Sequence, residues 1–155
     1  MPRRAPRRSL SHLDASGAAR MVDVSGKPVI SREAVARGRI RVSAAALRLA
    51  RAGRLRKGGV VEVARLAGIL AAKRTADVIP LCHPLPLSHV DVDVKARRDG
   101  FEIEARVRTT ARTGAEMEAL HAVAVAALTL YDMLKAADKA MTITDIVLVR
   151  KTKSS

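Results

Sequence analysis

Aromatic residues and cysteine are almost absent from the sequence. Its 155 residues include one Phe, one Tyr, one Cys and no Trp. A single cysteine excludes an internal disulfide and fits a reducing compartment. One Phe and one Tyr cannot form the aromatic platform on which single-stranded nucleic acid stacks. The core must therefore consist mainly of Ala, Val, Leu and Ile, which favours closely packed helices and β-branched strands.

Long apolar segments are also missing. No apolar run approaches the roughly 20 residues of a transmembrane helix. The basic N-terminus is not followed by the apolar stretch of a signal peptide. We therefore expect a cytoplasmic protein with no membrane contact. A chain of this length predicts one domain with a substantial core.

Positive charge is the main excess, with a formal net charge of +14. Such a charge is typical of nucleic-acid-binding proteins. Seven of the 29 basic residues lie near the two ends, however, which leaves 22 against 15 acidic residues. This moderately basic body suits a multiply phosphorylated small molecule equally well, and we do not favour nucleic acid as the partner. We expect a disordered tail at residues 1–9, a single domain at 10–151 and a short C-terminal tail at 152–155.

The periodicity of apolar residues predicts an α+β chain. The predicted strands cover residues 39–42, 90–95, 101–108 and 143–149, and the predicted helices cover residues 44–52, 60–75 and 113–135. Ser31 and Gly38 also predict the ends of a short helix at residues 32–37. Three prolines exclude regular structure from residues 79–86. The order of strand, two helices, two strands, helix and strand predicts a ferredoxin-like fold, with an antiparallel or mixed sheet and helices on one face.

The long predicted helix is the strongest helix former in the chain. Its middle, residues 122–130, is apolar on every side except for Thr129, which predicts burial all round. Four charged residues flank this run: Glu116, Glu118, Asp132 and Lys135. Two interpretations remain open. These charges either mark where the helix leaves the core or present a carboxylate and an amine to a pocket, where burial shifts their pKa values.

Several kinds of chemistry lack their motifs. Four His and one Cys occur without a Cys-x-x-Cys or His-x-x-x-His pair, so no metal and no cofactor is expected. A P-loop and a serine nucleophile elbow are absent as well. Lys57 stands at a Gly-rich turn that suits a phosphate, and Lys73 is predicted at a helix end. His83 lies in the proline-rich segment, where an exposed loop histidine without a role is the alternative.

Six motifs, in order, resemble one known family. They are residues 21–25 (MVDVS), 64–69 (ARLAGI), 71–75 (AAKRT), 79–85 (IPLCHPL), 113–120 (TGxEMEAL) and 130–136 (LYDMxKA). The family is cyclic pyranopterin monophosphate synthase, the accessory protein of molybdenum cofactor biosynthesis. The resemblance extends from about residue 10 to residue 151.

The resemblance implies both a fold and an activity. It implies a ferredoxin-like subunit in a homohexamer, built as a trimer of dimers with active sites at dimer interfaces. The implied substrate is a cyclised dihydro-GTP made by a partner radical enzyme. The implied reaction rearranges this triphosphate to cyclic pyranopterin monophosphate and releases pyrophosphate.

The resemblance also implies site residues. Asp132 matches the catalytic aspartate and Lys135 its partner lysine. The implied substrate-binding positions are Leu81, Cys82, His83, Met117, Glu118, Glu116, Lys57 and Lys73. An Asp–Lys pair with shifted pKa values suits the proton transfers of ring opening and closure, and lysines suit a triphosphate.

Three departures from the family pattern accompany the match. Gly59 stands where the family usually has an acidic residue, and Leu134 replaces a usual Cys, which argues that this Cys is not required. Ala115 replaces a larger apolar residue and is interpreted as a packing change. A nucleic-acid-binding module and an enzymatically silent homologue remain as alternatives.

Overall fold

The computed structural model describes residues 10–53 and 59–154. Lys57, one of the predicted site residues, lies outside these ranges. The helices and strands are, in chain order, β1 (Ile30–Arg41), α1 (Ala44–Arg51), α2 (Val60–Lys73), α3 (Thr75–Val78), β2 (Leu87–Arg97), β3 (Gly100–Ala111), α4 (Glu116–Leu134) and β4 (Thr142–Ser154).

The four strands form one sheet in the order β2-β3-β1-β4, and every neighbouring pair is antiparallel. The long helices α2 and α4 pack on this sheet and on each other. The prediction of an α+β, ferredoxin-like fold is therefore confirmed. The predicted helix at 44–52 is confirmed as α1, where Ser43 Oγ accepts from Ala46 N at 3.2 Å as an N-cap.

Alternation along β3 separates the two faces of the sheet. Phe101, Ile103 and Val107 are buried under the helices. Glu102 and Glu104 point the other way and pair with arginines, at 2.9 Å to Arg97 and 2.7 Å to Arg37. One face therefore carries the core, and the other carries a layer of ion pairs.

Small residues let the helices approach closely, as the scarcity of aromatic residues predicts. A Cβ added to Gly68 of α2 would lie 2.9 Å from the backbone oxygen of Ala122 in α4. A Cβ on Gly38 of β1 would lie 2.6 Å from Cγ1 of Val123. Glycine at both positions sets how near α4 comes to α2 and to the sheet.

The predicted short helix at residues 32–37 is wrong. These residues belong to β1, where Ala34, Val35 and Ala36 are buried and pair with β3 on one side and β4 on the other. Burial between two strands outweighs the capping signal of Ser31. The strand predicted at 39–42 is only the end of β1.

Two further boundaries differ from the predictions. The helix predicted over 60–75 ends at Lys73, and the short α3 follows it. At the C-terminus, β4 continues through Ser154, so residues 152–154 pair with β1 instead of forming a tail. The register of this pair shifts at Val35/Ala36 and again at Arg37/Arg39. Asp145, beside the second shift, has a left-handed backbone with φ 56°.

The middle of α4 is buried on one side only. Ala122, Ala126 and Leu130 are fully buried, but Leu128 is 57% exposed. The prediction of burial all round is therefore wrong for the single chain. By length and composition alone α4 could also cross a membrane, but core helices meet the same test, and α4 packs on the sheet and α2.

Candidate functional site

A cavity of about 580 Å³ lies between the proline-rich segment and the start of α4. This volume is ordinary for a small-molecule site. Five of the predicted site residues line it: Leu81, Cys82, His83, Glu116 and Met117. The structure therefore brings together the two motifs at residues 79–85 and 113–120.

The proline-rich segment is irregular, as predicted, and is fixed at both ends. It connects the end of α3 at Val78 to the start of β2 at Leu87. The amide of Cys82 donates to the Ile79 carbonyl at 3.1 Å. At the other end, the buried hydroxyl of Thr109 donates to the Pro86 carbonyl at 2.8 Å. The first bond closes a turn that contains Leu81, and the second joins the end of the segment to β3.

Glu118 is a buried carboxyl group beside this segment, and its residue is only 2% exposed. Its Oε1 atom lies 3.8 Å from Cys82 Sγ, while Oε2 has no hydrogen-bond partner among the described residues. Burial raises the pKa of Glu118, and the charge of Glu116 adds to the rise. The Glu118 side chain therefore binds a proton more readily than an exposed glutamate.

The surroundings of Cys82 disfavour ionisation of its thiol. Burial, together with the charge of Glu118 and the hydrogen bond to it, raises the pKa of the Cys82 thiol to about 11. The thiolate is the reactive form of cysteine, and at neutral pH almost none is present. The thiol instead acts as a weak donor toward the carboxyl group.

Lys73 and Glu118 line a second, smaller cavity of about 90 Å³ at the end of α2. Thr75, which is buried, connects the two helices there. Its hydroxyl lies 3.0 Å from the Ala71 carbonyl and 3.1 Å from Nδ1 of His121 in α4. This contact fixes the end of α2, and with it Lys73, relative to Glu118.

A third cavity, of about 200 Å³, is basic and does not follow from the sequence patterns. It is lined by Arg32, Glu33, Gly114, Glu116, Lys151, Thr152 and Lys153. The sequence patterns predict a helix around Arg32 and a tail at Lys153, which conceals their proximity. Alternating Lys151 and Lys153 could have indicated one face of a strand.

The basic cavity contains an unfavourable pair. Arg32 and Lys153 are directly opposite each other on β1 and β4. Like charges opposite each other destabilise a sheet unless an anion compensates them. Arg32 is held in place by donating to the carbonyl groups of Ala111 and Arg112, at 3.3 and 3.1 Å. The arrangement suits phosphate groups.

Asp132 and Lys135 lie at the opposite end of α4. Lys135 Nζ is 2.7 Å from Asp132 Oδ1, and this hydrogen bond raises the pKa of Lys135. The two side chains share one face, but they are 59% and 62% exposed. Asp132 is 14 positions beyond Glu118, or about 21 Å along the helix. Within one chain, this pair is therefore far from the cavity that His83 lines.

Metal ligands are not grouped in this region. Within residues 10–53 and 59–154, no cluster of three or more His, Cys, Asp or Glu side chains could hold a metal ion. The groups that lie near one another here are the buried carboxyl group of Glu118, the proline-rich segment with His83, and the basic cavity. They suit proton transfer and anion binding.

These features suit an α+β enzyme that acts on a small molecule. The chain belongs to the MoaC family, which it matches over residues 21–154.

Three relatives show how far the similarity extends. The chain is 62% identical to a protein of Thermomicrobium roseum over 144 residues, which cover 92% of this chain and 87% of that protein. It is 58% identical to one of Parvibaculum lavamentivorans over 147 residues, or 94% and 92% of the two chains. A protein of Dinoroseobacter shibae is 57% identical over 144 residues, or 92% and 91%. All three are named cyclic pyranopterin monophosphate synthase.

Proposed function

We propose that the protein is a lyase of molybdenum cofactor biosynthesis. It converts 3',8-cyclo-7,8-dihydroguanosine 5'-triphosphate to cyclic pyranopterin monophosphate and releases pyrophosphate. The observation that carries this proposal is the identity of 57–62% over nearly the whole chain with proteins of that name. The substrate itself is supplied by a radical enzyme, which is the functional partner.

The two adjoining cavities suit the two parts of this substrate. The larger cavity accepts the cyclised base and sugar between the His83 segment and α4. The basic cavity accepts the phosphates, which would neutralise the opposed charges of Arg32 and Lys153. Lys73 faces the smaller cavity beside Glu118 and serves as a further charge near the substrate.

Asp132 and Lys135 supply acid–base catalysis in this proposal. Opening and reclosing a purine-derived ring requires proton transfers, and a hydrogen-bonded carboxylate and ammonium can exchange the protons. Their exposure in one chain, about 21 Å along α4 from Glu118, is explained when a neighbouring subunit covers them. Such a site lies between two subunits and uses opposite ends of two α4 helices.

Apolar surface on the chain supports self-association, and the family resemblance supports a homohexamer built as a trimer of dimers. Four consecutive residues of β4, Ile146 to Val149, are 36–50% exposed. Leu66 and Leu128 are 59% and 57% exposed on the two long helices. A cytoplasmic assembly that covers these residues would bury both the β4 surface and the exposed side of α4.

Direct turnover tests the function. The protein is incubated with the cyclised dihydro-GTP, while pyrophosphate release and pyranopterin formation are followed together. Equal amounts of both products are expected from wild type, and far slower formation of both from a folded Asp132→Asn control. A folded wild-type oligomer that forms neither product would refute the activity.

A further inference from the structure

Gly114 and Glu116 occupy the junction between the large cavity and the basic cavity, because both residues line both spaces. The Glu116 side chain folds back over Gly114. A Cβ added to Gly114 would lie 2.8 Å from Cδ and 2.9 Å from Oε1 of Glu116. Only a residue without a side chain leaves room for the carboxyl group in this position.

Glu116 also opposes the charge of the basic cavity. Its Oε1 atom lies 3.4 Å from Nζ of Lys151. The other carboxylate in the lining, Glu33, is already paired with Arg108 at 2.6 Å and Arg150 at 3.0 Å. Glu116 is therefore the carboxylate that competes with a bound anion for Lys151.

We propose that Gly114 is a positioning residue that holds the Glu116 carboxylate at the junction, where it limits the affinity of the basic cavity for pyrophosphate. The inference rests on the proposed function, in which pyrophosphate is a product. Arg32, Lys151 and Lys153 without an opposing carboxylate would retain that product. Glu116 keeps the cavity attractive enough to bind the phosphates and weak enough to release them.

A double-mutant cycle with inorganic pyrophosphate tests this inference. Calorimetric titrations compare full-length wild type, Gly114→Ala, Glu116→Ala and the double variant. Each single variant is expected to bind pyrophosphate about two- to fivefold more tightly, the range of an exposed charge interaction. The double variant should match Glu116→Ala, because the methyl group added at position 114 then has no carboxyl group to displace. Product inhibition of turnover by pyrophosphate should strengthen by the same factor.

Two control variants separate this effect from general changes. Gly26→Ala adds a methyl group where nothing lies within 4 Å. Glu62→Gln removes a charge from a side chain that is 72% exposed on α2. Neither should change pyrophosphate affinity.

Three results would overturn the inference. They are unchanged or weaker pyrophosphate binding in Gly114→Ala, unchanged or weaker binding in Glu116→Ala, and an equal effect of Gly114→Ala in the Glu116→Ala background. If Gly114→Ala alone does not fold, the double variant must fold and Glu116→Gln must bind pyrophosphate more tightly; failure of either contradicts the inference. If wild type turns over the substrate but all four proteins bind pyrophosphate with the same affinity, this inference alone is contradicted. A wild type that neither binds nor releases pyrophosphate contradicts the proposed function as well.

Discussion

The thiol of Cys82 lies 3.8 Å from Oε1 of Glu118 and connects the proline-rich segment to the first turn of α4. This contact satisfies one carboxyl oxygen weakly and leaves the other without a hydrogen bond in the described part of the chain. The carboxyl group is therefore placed beside the candidate site at a cost in folding free energy. That cost depends on pH.

Glu118→Gln should stabilise the fold at neutral pH. Burial raises the pKa of Glu118 in the folded protein, so the folded state binds more protons than the unfolded state. The stability that Glu118 contributes to the wild-type protein therefore falls as the pH rises. The loss begins near the pKa of Glu118 in the unfolded state and continues through its higher pKa in the folded state. The glutamine lacks this dependence.

Urea unfolding at a series of pH values measures the difference. The advantage of Glu118→Gln is expected to be about 1–3 kcal/mol near neutral pH and to shrink toward pH 4. Glu62→Gln, at an exposed position, is the control. An advantage that does not vary with pH would contradict the raised pKa.

Lys151→Met should weaken the binding of phosphates. It removes a charge-assisted contact worth about 1.5–3 kcal/mol, or a factor of ten or more in affinity. Titration with inorganic pyrophosphate measures the change, and Lys139→Met, outside the three cavities, is the matched control. Similar affinities in wild type and Lys151→Met would remove the basic cavity from the proposed site.

Asp132→Asn should slow turnover by about 10²–10⁴ while leaving the fold intact. Lys135→Met should do likewise, and the double variant should lose far less than the product of the two factors, because the pair acts as a unit. Single-turnover rates are compared with thermal melts. Asparagine has nearly the same shape as aspartate, so the melt of Asp132→Asn should change little. Normal rates in a stable Asp132→Asn would exclude the catalytic role.

Leu128→Glu should dissociate the assembly and reduce turnover together. Leu128 lies one helical turn before Asp132 on α4, so the two side chains share a face. A charge in that apolar surface would repel the neighbouring subunit without entering the core. Light scattering and activity are measured side by side, with Leu10→Glu, 71% exposed in wild type, as the control. A fully active wild-type monomer of 16.6 kDa would refute the shared site.

The sequence predicted the fold well where local signals agreed with tertiary packing. Alternation predicted β2 and β3, and apolar composition predicted α4. At residues 32–37 the local signals misled, because a capping serine and a glycine suggested a helix. Pairing on both sides then placed the segment inside the sheet, and such long-range pairing leaves no short-range signal.

The candidate site was predictable only in part. Motif resemblance named Cys82 and Glu118, and the structure brings them into contact. The basic cavity was not predicted, because Arg32 and Lys153 are 121 positions apart and meet only through strand register. Rules based on residue spacing cannot predict a contact between positions this far apart in the sequence.

The two irregularities of β4 bear on how copies of the protein can join. A straight edge strand with exposed Ile, Val and Leu would accept further strands without limit and grow into fibrils. Register shifts of the kind found here, with Asp145 in its left-handed conformation, are typical of strands that bend locally and twist more strongly. Only a partner with a matching bend can then dock, and growth stops once that partner is in place. The same apolar edge can therefore bind a partner subunit and still be protected from polymerisation.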